Sequence, residues 1–309
     1  MNRRLFYACI FTLLTHAILQ AGGWSRKPGE LALKLSWFSL NSGKRFSTGG
    51  GLESKCILEQ SPNCFRESLD GGVKIPIFSD IPGTTSSRAL FLTANYGLFN
   101  RLELGVQIGF FSSDNNFQID VPREISTGAN GLSDLYTNLK YQYLSRSGLA
   151  ASVAGGFIAP TGHFERSAFG VSLGQGGWSY EVTHDLGYSF WPLPVYANAQ
   201  VGYRWRGENE AFFNYGDEVV FNFEAGVHVS SRLLFKLALH GLNAGNDRQS
   251  LGIGLANTPG RKISFLSPTV FVKVKKFEIE AGVEHAVSGR NYVTGTKLNL
   301  GIGRLFNLK

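Results

Sequence analysis

Residues 102–110 read Leu102-Glu-Leu-Gly-Val-Gln-Ile-Gly-Phe110, with an apolar side chain at every even position and a polar or very small one at every odd position. This period of two predicts a β-strand with one apolar and one polar face. The pattern returns about every dozen residues as far as the C-terminus. One sheet of this kind carries more apolar surface than a soluble sandwich of this polarity covers. We therefore interpret the solvent of the apolar face as lipid.

The composition favours one large all-β unit, with 38 Gly, 24 Phe and a single Met in 309 residues. The mean hydropathy of -0.04 fits a transmembrane barrel, because lumen-facing residues dilute the lipid-facing ones. We predict a closed antiparallel transmembrane β-barrel of about 12 strands. The predicted strands are 30–40, 88–97, 102–111, 133–144, 148–158, 177–190, 194–206, 217–228, 232–243, 263–274, 277–287 and 293–306. A segment at 73–78 is a possible further strand.

Long and short connections strictly alternate between these strands. The long ones are 41–87, 112–132, 159–176, 207–216 and 244–262, with a shorter one at 288–292, and tight turns lie at 98–101, 145–147, 191–193, 229–231 and 275–276. Outer-membrane barrels have short periplasmic turns and long extracellular loops. An even strand number then places both termini on the periplasmic side.

The N-terminus resembles an export signal in its charge and hydropathy. Arg3 and Arg4 precede an apolar run from Leu5 to Leu19, and small residues follow at Ala21. We predict a signal peptide at 1–21 and a single barrel domain at 22–309. Loss of the two arginines lowers the net charge from +7 to +5. This modest excess is scattered along strands and loops, which argues against a nucleic-acid partner.

The mature chain keeps two cysteines, Cys56 and Cys64, in a long polar segment. In an exported protein this spacing favours a local disulfide over a zinc site, which needs more Cys or His ligands nearby. We predict no metal and no cofactor.

Aromatic residues mark both ends of the predicted strands. Trp178 and Tyr180 lie near the outer end of one strand, and Tyr188 and Phe190 near its inner end, all on one face. Such girdles are typical of the two membrane interfaces. The last strand, with apolar residues alternating up to Phe306, resembles the closing strand of bacterial outer-membrane proteins, which the barrel-insertion machinery recognises.

The polar face of the strands should line the lumen, where both charge signs are abundant. This mixture of charges predicts a network of ion pairs that either stabilises the barrel or sets the selectivity of a pore. The pore-lining candidates are Glu103, Gln107, Lys140, Glu181, Asp185, Arg204, Arg206, Glu224, His228, Lys236, His240, Lys273, Glu278, Glu280, Glu284 and Lys297. The long loop at 41–87 is able to fold inward as a constriction or a plug, whereas residues 22–29 are too few for an apolar N-terminal plug.

Catalytic patterns are weak in this sequence. The His-x-Ser-Asn-Gly segment of twelve-stranded outer-membrane phospholipases is absent, and His184 and Asp185 point to opposite faces of one strand. A nucleophile needs a base within hydrogen-bond reach. We expect no enzyme activity, and a lipid-acting enzyme is the less favoured alternative.

Three short motifs carry a family resemblance. They are Gly131-Leu-Ser-Asp134 at a strand start, Pro160-Thr-Gly162 after the next strand, and the Gly-rich return Gly174-Gln-Gly-Gly177. With them the chain resembles the outer-membrane transporters named for a phenol-degradation pathway. The resemblance implies a barrel that passes small organic, often aromatic, compounds.

We therefore expect a passive, porin-like outer-membrane channel for small organic solutes, with outer-membrane lipid, the barrel-insertion machinery and the solute as partners. A structural or surface-recognition barrel with a sealed lumen is the alternative.

Overall fold

The computed structural model describes residues 22–46, 49–54, 65–67, 74–76, 83–120, 123–165, 171–210, 212–246, 248–249 and 259–308. All regular secondary structure in these ranges is β-strand. No helix within them is long and apolar enough to cross a membrane. The predicted signal peptide and both cysteines of the predicted disulfide, Cys56 and Cys64, lie outside the described residues.

Twelve antiparallel strands form the wall of a closed barrel. In chain order they are β1 Glu30–Ser42, β2 Gly83–Phe99, β3 Leu102–Asp120, β4 Leu135–Arg146, β5 Leu149–Ala159, β6 Ser179–Ser189, β7 Val195–Arg206, β8 Glu218–His228, β9 Leu233–Ala244, β10 Lys262–Val274, β11 Phe277–Arg290 and β12 Thr296–Asn307. Each strand pairs with the next, and β12 pairs with β1 from Glu30↔Asn307 to Leu40↔Lys297. Closure leaves no unpaired wall edge in the membrane.

The structure confirms all twelve predicted strands and lengthens several of them, most of all β2 and β3. The outer part of β3, from Phe110 to Asp120, pairs with an additional strand at Arg123–Leu132 that continues into β4. The sequence predicts a loop here, because the polar run has no apolar face to reveal a strand. Cross-strand hydrogen bonds hold this region instead, including the contact of 2.6 Å between Ser87 Oγ and Ser113 Oγ.

The outward face of the barrel is apolar. Leu92, Leu237 and Leu298 are each about half exposed on this face, whereas the neighbouring side chains in each strand point inward. A water-facing surface rarely exposes an apolar belt of this extent. Trp178 and Tyr188 lie at opposite ends of β6 on this belt, as the girdle pattern predicts. The protein is therefore an outer-membrane β-barrel.

Backbone geometry explains the tight turns. Ser147 and Gly148 between β4 and β5 both have positive φ, at 48° and 84°, as two-residue hairpins of type I′ require. Arg101 and Lys275 have positive φ in two other turns. These turns lie at the same end of the barrel as the start of β1 and the end of β12, which is the periplasmic end by the alternation of loop lengths.

Short paired strands lie at the extracellular end of the barrel, outside its wall. Lys44–Phe46 pairs with Leu52–Ser54 and with Tyr292–Val293. Phe65–Glu67 pairs with Lys74–Pro76, so the described part of the possible further strand at 73–78 lies outside the barrel wall.

Candidate functional site

The lumen collects the polar side chains of the wall. Every pore-lining candidate lies on the inward face, and none of them is exposed. These residues are Glu103, Gln107, Lys140, Glu181, Asp185, Arg204, Arg206, Glu224, His228, Lys236, His240, Lys273, Glu278, Glu280, Glu284 and Lys297. Their orientation follows from the period of two along each strand. Their role in conduction stays a prediction.

The N-terminal segment from Gly22 to Arg26 lies inside the periplasmic end of the lumen. Ser25 Oγ donates a hydrogen bond of 2.8 Å to Gln142 Oε1, and the Arg26 N–H donates one of 2.7 Å to Glu103 Oε2. The ring of Trp24 lies over Gly187, where an added Cβ would be 2.1 Å from it. The sequence argues only against an apolar plug at residues 22–29, and it does not indicate that this segment enters the lumen through hydrogen bonds. Backbone hydrogen bonds and one aromatic side chain replace the apolar packing that such a plug was expected to need.

Ion pairs on the inward face join neighbouring strands of the wall. Lys140 Nζ lies 3.3 Å from Glu103, and Lys297 Nζ lies 3.1 Å from Glu284. Lys34 on β1, which is not among the predicted lining residues, pairs with Glu280 on β11. Its inward position within predicted strand 30–40 is the signal that could have revealed it. Because most charges are paired, they crosslink the wall as well as surround the pore.

Glu218 anchors a cluster of arginines in the outer half of the lumen. Its carboxylate is completely buried. It accepts hydrogen bonds of 2.8 Å from Arg204 Nη1, 3.2 Å from Arg206 Nη1 and 2.6 Å from Arg261 Nη2. Arg204 also bonds Glu181. Neither Glu218 nor Arg261 is among the predicted lining residues. Glu218 has inward register in a predicted strand, whereas Arg261 lies in a predicted loop with no pattern to mark it.

A serine, a histidine and a carboxylate meet on the neighbouring strands β9, β10 and β11. His240 Nε2 lies 2.9 Å from Ser267 Oγ and 3.9 Å from Glu284 Oε2. In a catalytic triad the acid bonds the ring nitrogen opposite the one that faces the nucleophile. Here one nitrogen faces both groups, so the three side chains lack triad geometry.

A cavity of about 640 Å³ opens in the outer half of the lumen. Its volume is within the range of about 300–1,000 Å³ for small-molecule sites. One wall is apolar, and the other carries the arginine cluster. The apolar lining includes Phe91, Phe111, Ile158 and Leu173, and the polar lining includes Tyr136, Glu181, Arg204, Arg206, Tyr215 and Arg261.

The aromatic wall of this cavity is built by β1, β2 and β3. The ring centroids of Phe91 and Phe111 are 5.3 Å apart with the planes nearly perpendicular, and Phe38 lies 5.8 Å from each. Edge-to-face contacts of this kind fix ring orientation. On the neighbouring strand β4, Tyr136 Oη donates a hydrogen bond of 3.1 Å to Glu181 on β6. The cavity therefore offers ring faces on one side and hydrogen-bonding groups on the other.

Asp134 holds the loop between β5 and β6 against the cavity. Its carboxylate accepts the N–H of Gly162 at 3.1 Å and that of Gln175 at 2.8 Å. Thr161 Oγ1 donates to the Ser133 carbonyl. Burial raises the pKa of the Asp134 carboxyl, and the two N–H donors oppose that rise by stabilising the charged form. The three glycine-containing motifs of the sequence thus form one joint.

Phe46 from the first long loop also enters the outer mouth. It is buried against Ile263, Phe265 and Ala286, with Leu242 and Tyr292 around them. The described part of this loop therefore narrows the mouth above β10 and β11, in the direction that the sequence indicated.

A family model described as "Putative MetA-pathway of phenol degradation" matches residues 59–302. The chain belongs to this family. The three motifs that Asp134 joins all lie within the match. No curated protein matches the sequence of this family member.

Solved structures share the fold of this member of the phenol-degradation family. An outer-membrane channel from Pseudomonas putida F1 is 15% identical, covers 93% of this chain and 100% of its own length, and has a TM-score of 0.65. The Ralstonia pickettii toluene transporter TbuX is 11% identical, with coverage of 96% and 93% and a TM-score of 0.46. The first likeness establishes the barrel fold alone, and the second is too distant to support an argument.

Proposed function

We propose that the protein is a passive outer-membrane channel for small organic solutes. The observation that carries this proposal is the two-sided cavity in the outer lumen, with Phe91 and Phe111 on one wall and Arg204 on the other. Small-molecule sites combine an apolar lining with a few polar groups that fix orientation. Passive passage of a solute through this lumen would require no cofactor.

The chemistry of the walls suits a planar ring that carries one hydrogen-bonding group. The ring would lie against Phe91 and Phe111, and the polar group would reach Tyr136 or Arg204. Phenol has this arrangement, and the description of the family supports the same class of compound.

Single-channel recording of refolded protein in a planar bilayer tests this function. We expect discrete conductance steps that phenol interrupts at lower concentration than cyclohexanol, which has a similar size but no π face. Substitution of both Phe91→Ala and Phe111→Ala should raise the phenol concentration needed by about tenfold, since each aromatic contact contributes about 0.5–1.5 kcal/mol.

The matched control is the pair Leu90→Ala and Phe110→Ala. These residues are the sequence neighbours of the cavity pair, but they face lipid. The control should leave the effect of phenol unchanged. An equal loss of phenol sensitivity in both double variants would contradict a role of the aromatic wall. Equal effects of phenol and cyclohexanol on the wild-type current would contradict it as well.

A sealed structural barrel is the second candidate. It is favoured by the N-terminal segment in the periplasmic lumen, held by Gln142 and Glu103. It predicts electrical silence in the intact protein and conductance only after removal of residues 22–27, whereas a channel predicts conductance in the intact protein as well.

A further inference from the structure

The periplasmic rim of the barrel is uniformly basic. The turns at this end contain no aspartate or glutamate, although both signs mix in the lumen. Its exposed charged side chains are Lys27, Arg101, Arg146, Arg232, Lys275 and Lys276. Within the described ranges, none of these side chains forms an ion pair. Glu30, the acid nearest this rim in the chain, has inward register and accepts the backbone N–H of Lys27.

Arg304 adds a lipid-facing cation just above this rim. It lies on the outward face of β12, directly opposite Phe277 on β11. Its guanidinium carbon is 5.5 Å from the Phe277 ring centroid and 4.5 Å from that of Phe306. No carboxylate of the described chain pairs with it. The two rings therefore fix the position of a charge that the protein itself leaves uncompensated.

The turn before Phe277 brings further charge to this point. Lys275 and Lys276 form that turn, and Lys276 immediately precedes the ring that contacts Arg304. Aromatic side chains and arginine or lysine prefer the headgroup level of a membrane, where the apolar part is buried and the charge meets phosphate. The cluster of Lys275, Lys276 and Arg304 with Phe277 and Phe306 has this composition.

We propose that this cluster binds the headgroup of an anionic phospholipid in the inner leaflet of the outer membrane. Phe277 and Phe306 lie along the part of the acyl chains next to the headgroup, and Arg304 with the two lysines contacts the phosphate. Arginine suits this role because its planar donors match phosphate oxygens. A neutral or zwitterionic headgroup has less charge for the same three cations to meet. The site is on the outer wall, so it is independent of the lumen and of the proposed channel.

The test is native mass spectrometry of the detergent-purified barrel during titration with dioleoyl phosphatidylglycerol or dioleoyl phosphatidylcholine. We expect tighter binding of phosphatidylglycerol. Arg304→Gln should weaken that binding about fivefold, and Lys275→Gln with Lys276→Gln about 25-fold, since each cation near a lipid surface contributes about 1 kcal/mol. Phosphatidylcholine binding should change less than about twofold, because its headgroup carries no net charge.

The matched control is Arg88→Gln, which removes one exposed, lipid-facing charge at the extracellular end of β2. Heat-dependent gel migration reports whether each variant keeps a closed barrel, and single-channel conductance should be the same in wild type and Arg304→Gln. Equal affinity for the two lipids would overturn the proposal. A loss of phosphatidylglycerol affinity in Arg88→Gln equal to that in Arg304→Gln would also overturn it. Binding of soluble peptidoglycan fragments in place of phospholipid would overturn it as well. None of these outcomes bears on the channel.

Discussion

The carboxylate of Asp134 accepts the backbone N–H of Gln175 at 2.8 Å, although the two residues are 41 positions apart in the chain. The same carboxylate accepts the N–H of Gly162. One side chain at the start of β4 thus ties both ends of the loop between β5 and β6. An added Cβ at Gly174 would be 2.3 Å from the Asp134 carboxylate, which explains why a glycine precedes Gln175.

Asp134→Ala should release this loop from the cavity. Each hydrogen bond to a charged acceptor contributes about 1.5–3 kcal/mol, and two are lost. We expect larger conductance and faster trypsin cleavage after Arg166, measured on folded protein by electrophysiology and by gel. Asp134→Asn keeps one acceptor oxygen and should have an intermediate effect.

Asp114→Ala is the control for this substitution, because Asp114 is exposed on the outer extension of β3 and lies away from the joint. Cleavage as slow in Asp134→Ala as in Asp114→Ala would show that the carboxylate does not restrain the loop.

Gln142→Ala should loosen the N-terminal segment at the periplasmic end. The amide oxygen of Gln142 accepts from both the N–H and the Oγ of Ser25, at 3.1 Å and 2.8 Å. We expect more frequent openings in single-channel records. Gln200→Ala, which removes an inward glutamine bonded to Asp185 instead, should leave opening frequency unchanged. The same frequency in both variants would count against the segment as a constriction.

The period of two was sufficient to predict the barrel wall and its faces, because side-chain alternation is a local property of each strand. It places Glu103 and Lys140 inward without any knowledge of their partner strands. It does not reveal which inward groups meet. Glu218 and Arg261 are 43 positions apart, and their contact depends on the pairing of β8, β9 and β10 together with the path of a loop.

The N-terminal segment escapes sequence-based prediction for a different physical reason. Sequence patterns detect apolar packing, whereas Ser25 and Arg26 are held largely through backbone N–H groups that nearly every residue type offers. The strand at Arg123–Leu132 could not be predicted from the sequence for a similar reason. Its pairing with β3 is made by backbone hydrogen bonds between mostly polar residues.

Glu218→Ala should destabilise the barrel strongly. It leaves Arg204, Arg206 and Arg261 close together without their shared carboxylate, and removing one partner of a buried ion pair costs about 3–5 kcal/mol. We expect a lower midpoint in urea unfolding followed by tryptophan fluorescence. The double variant Glu218→Ala with Arg261→Ala should recover part of this loss, because one uncompensated charge is removed. A double variant less stable than the single one would refute the charge explanation.

Tyr143→Phe should destabilise the barrel from its lipid-facing side. His184 lies at the middle of β6 on the outward face, between the girdle residues Tyr180 and Tyr188, and its Nε2 is 2.5 Å from Tyr143 Oη. Without the phenol, the imidazole has no partner in hydrocarbon, which costs about 1–3 kcal/mol in the free energy of unfolding. Adding His184→Leu to Tyr143→Phe should restore stability, because an apolar pair needs no hydrogen bond in lipid.

Tyr141→Phe is the control on the same strand and face. Urea unfolding in lipid vesicles measures all four proteins, and a loss in Tyr141→Phe equal to that in Tyr143→Phe would disprove the role of the pair.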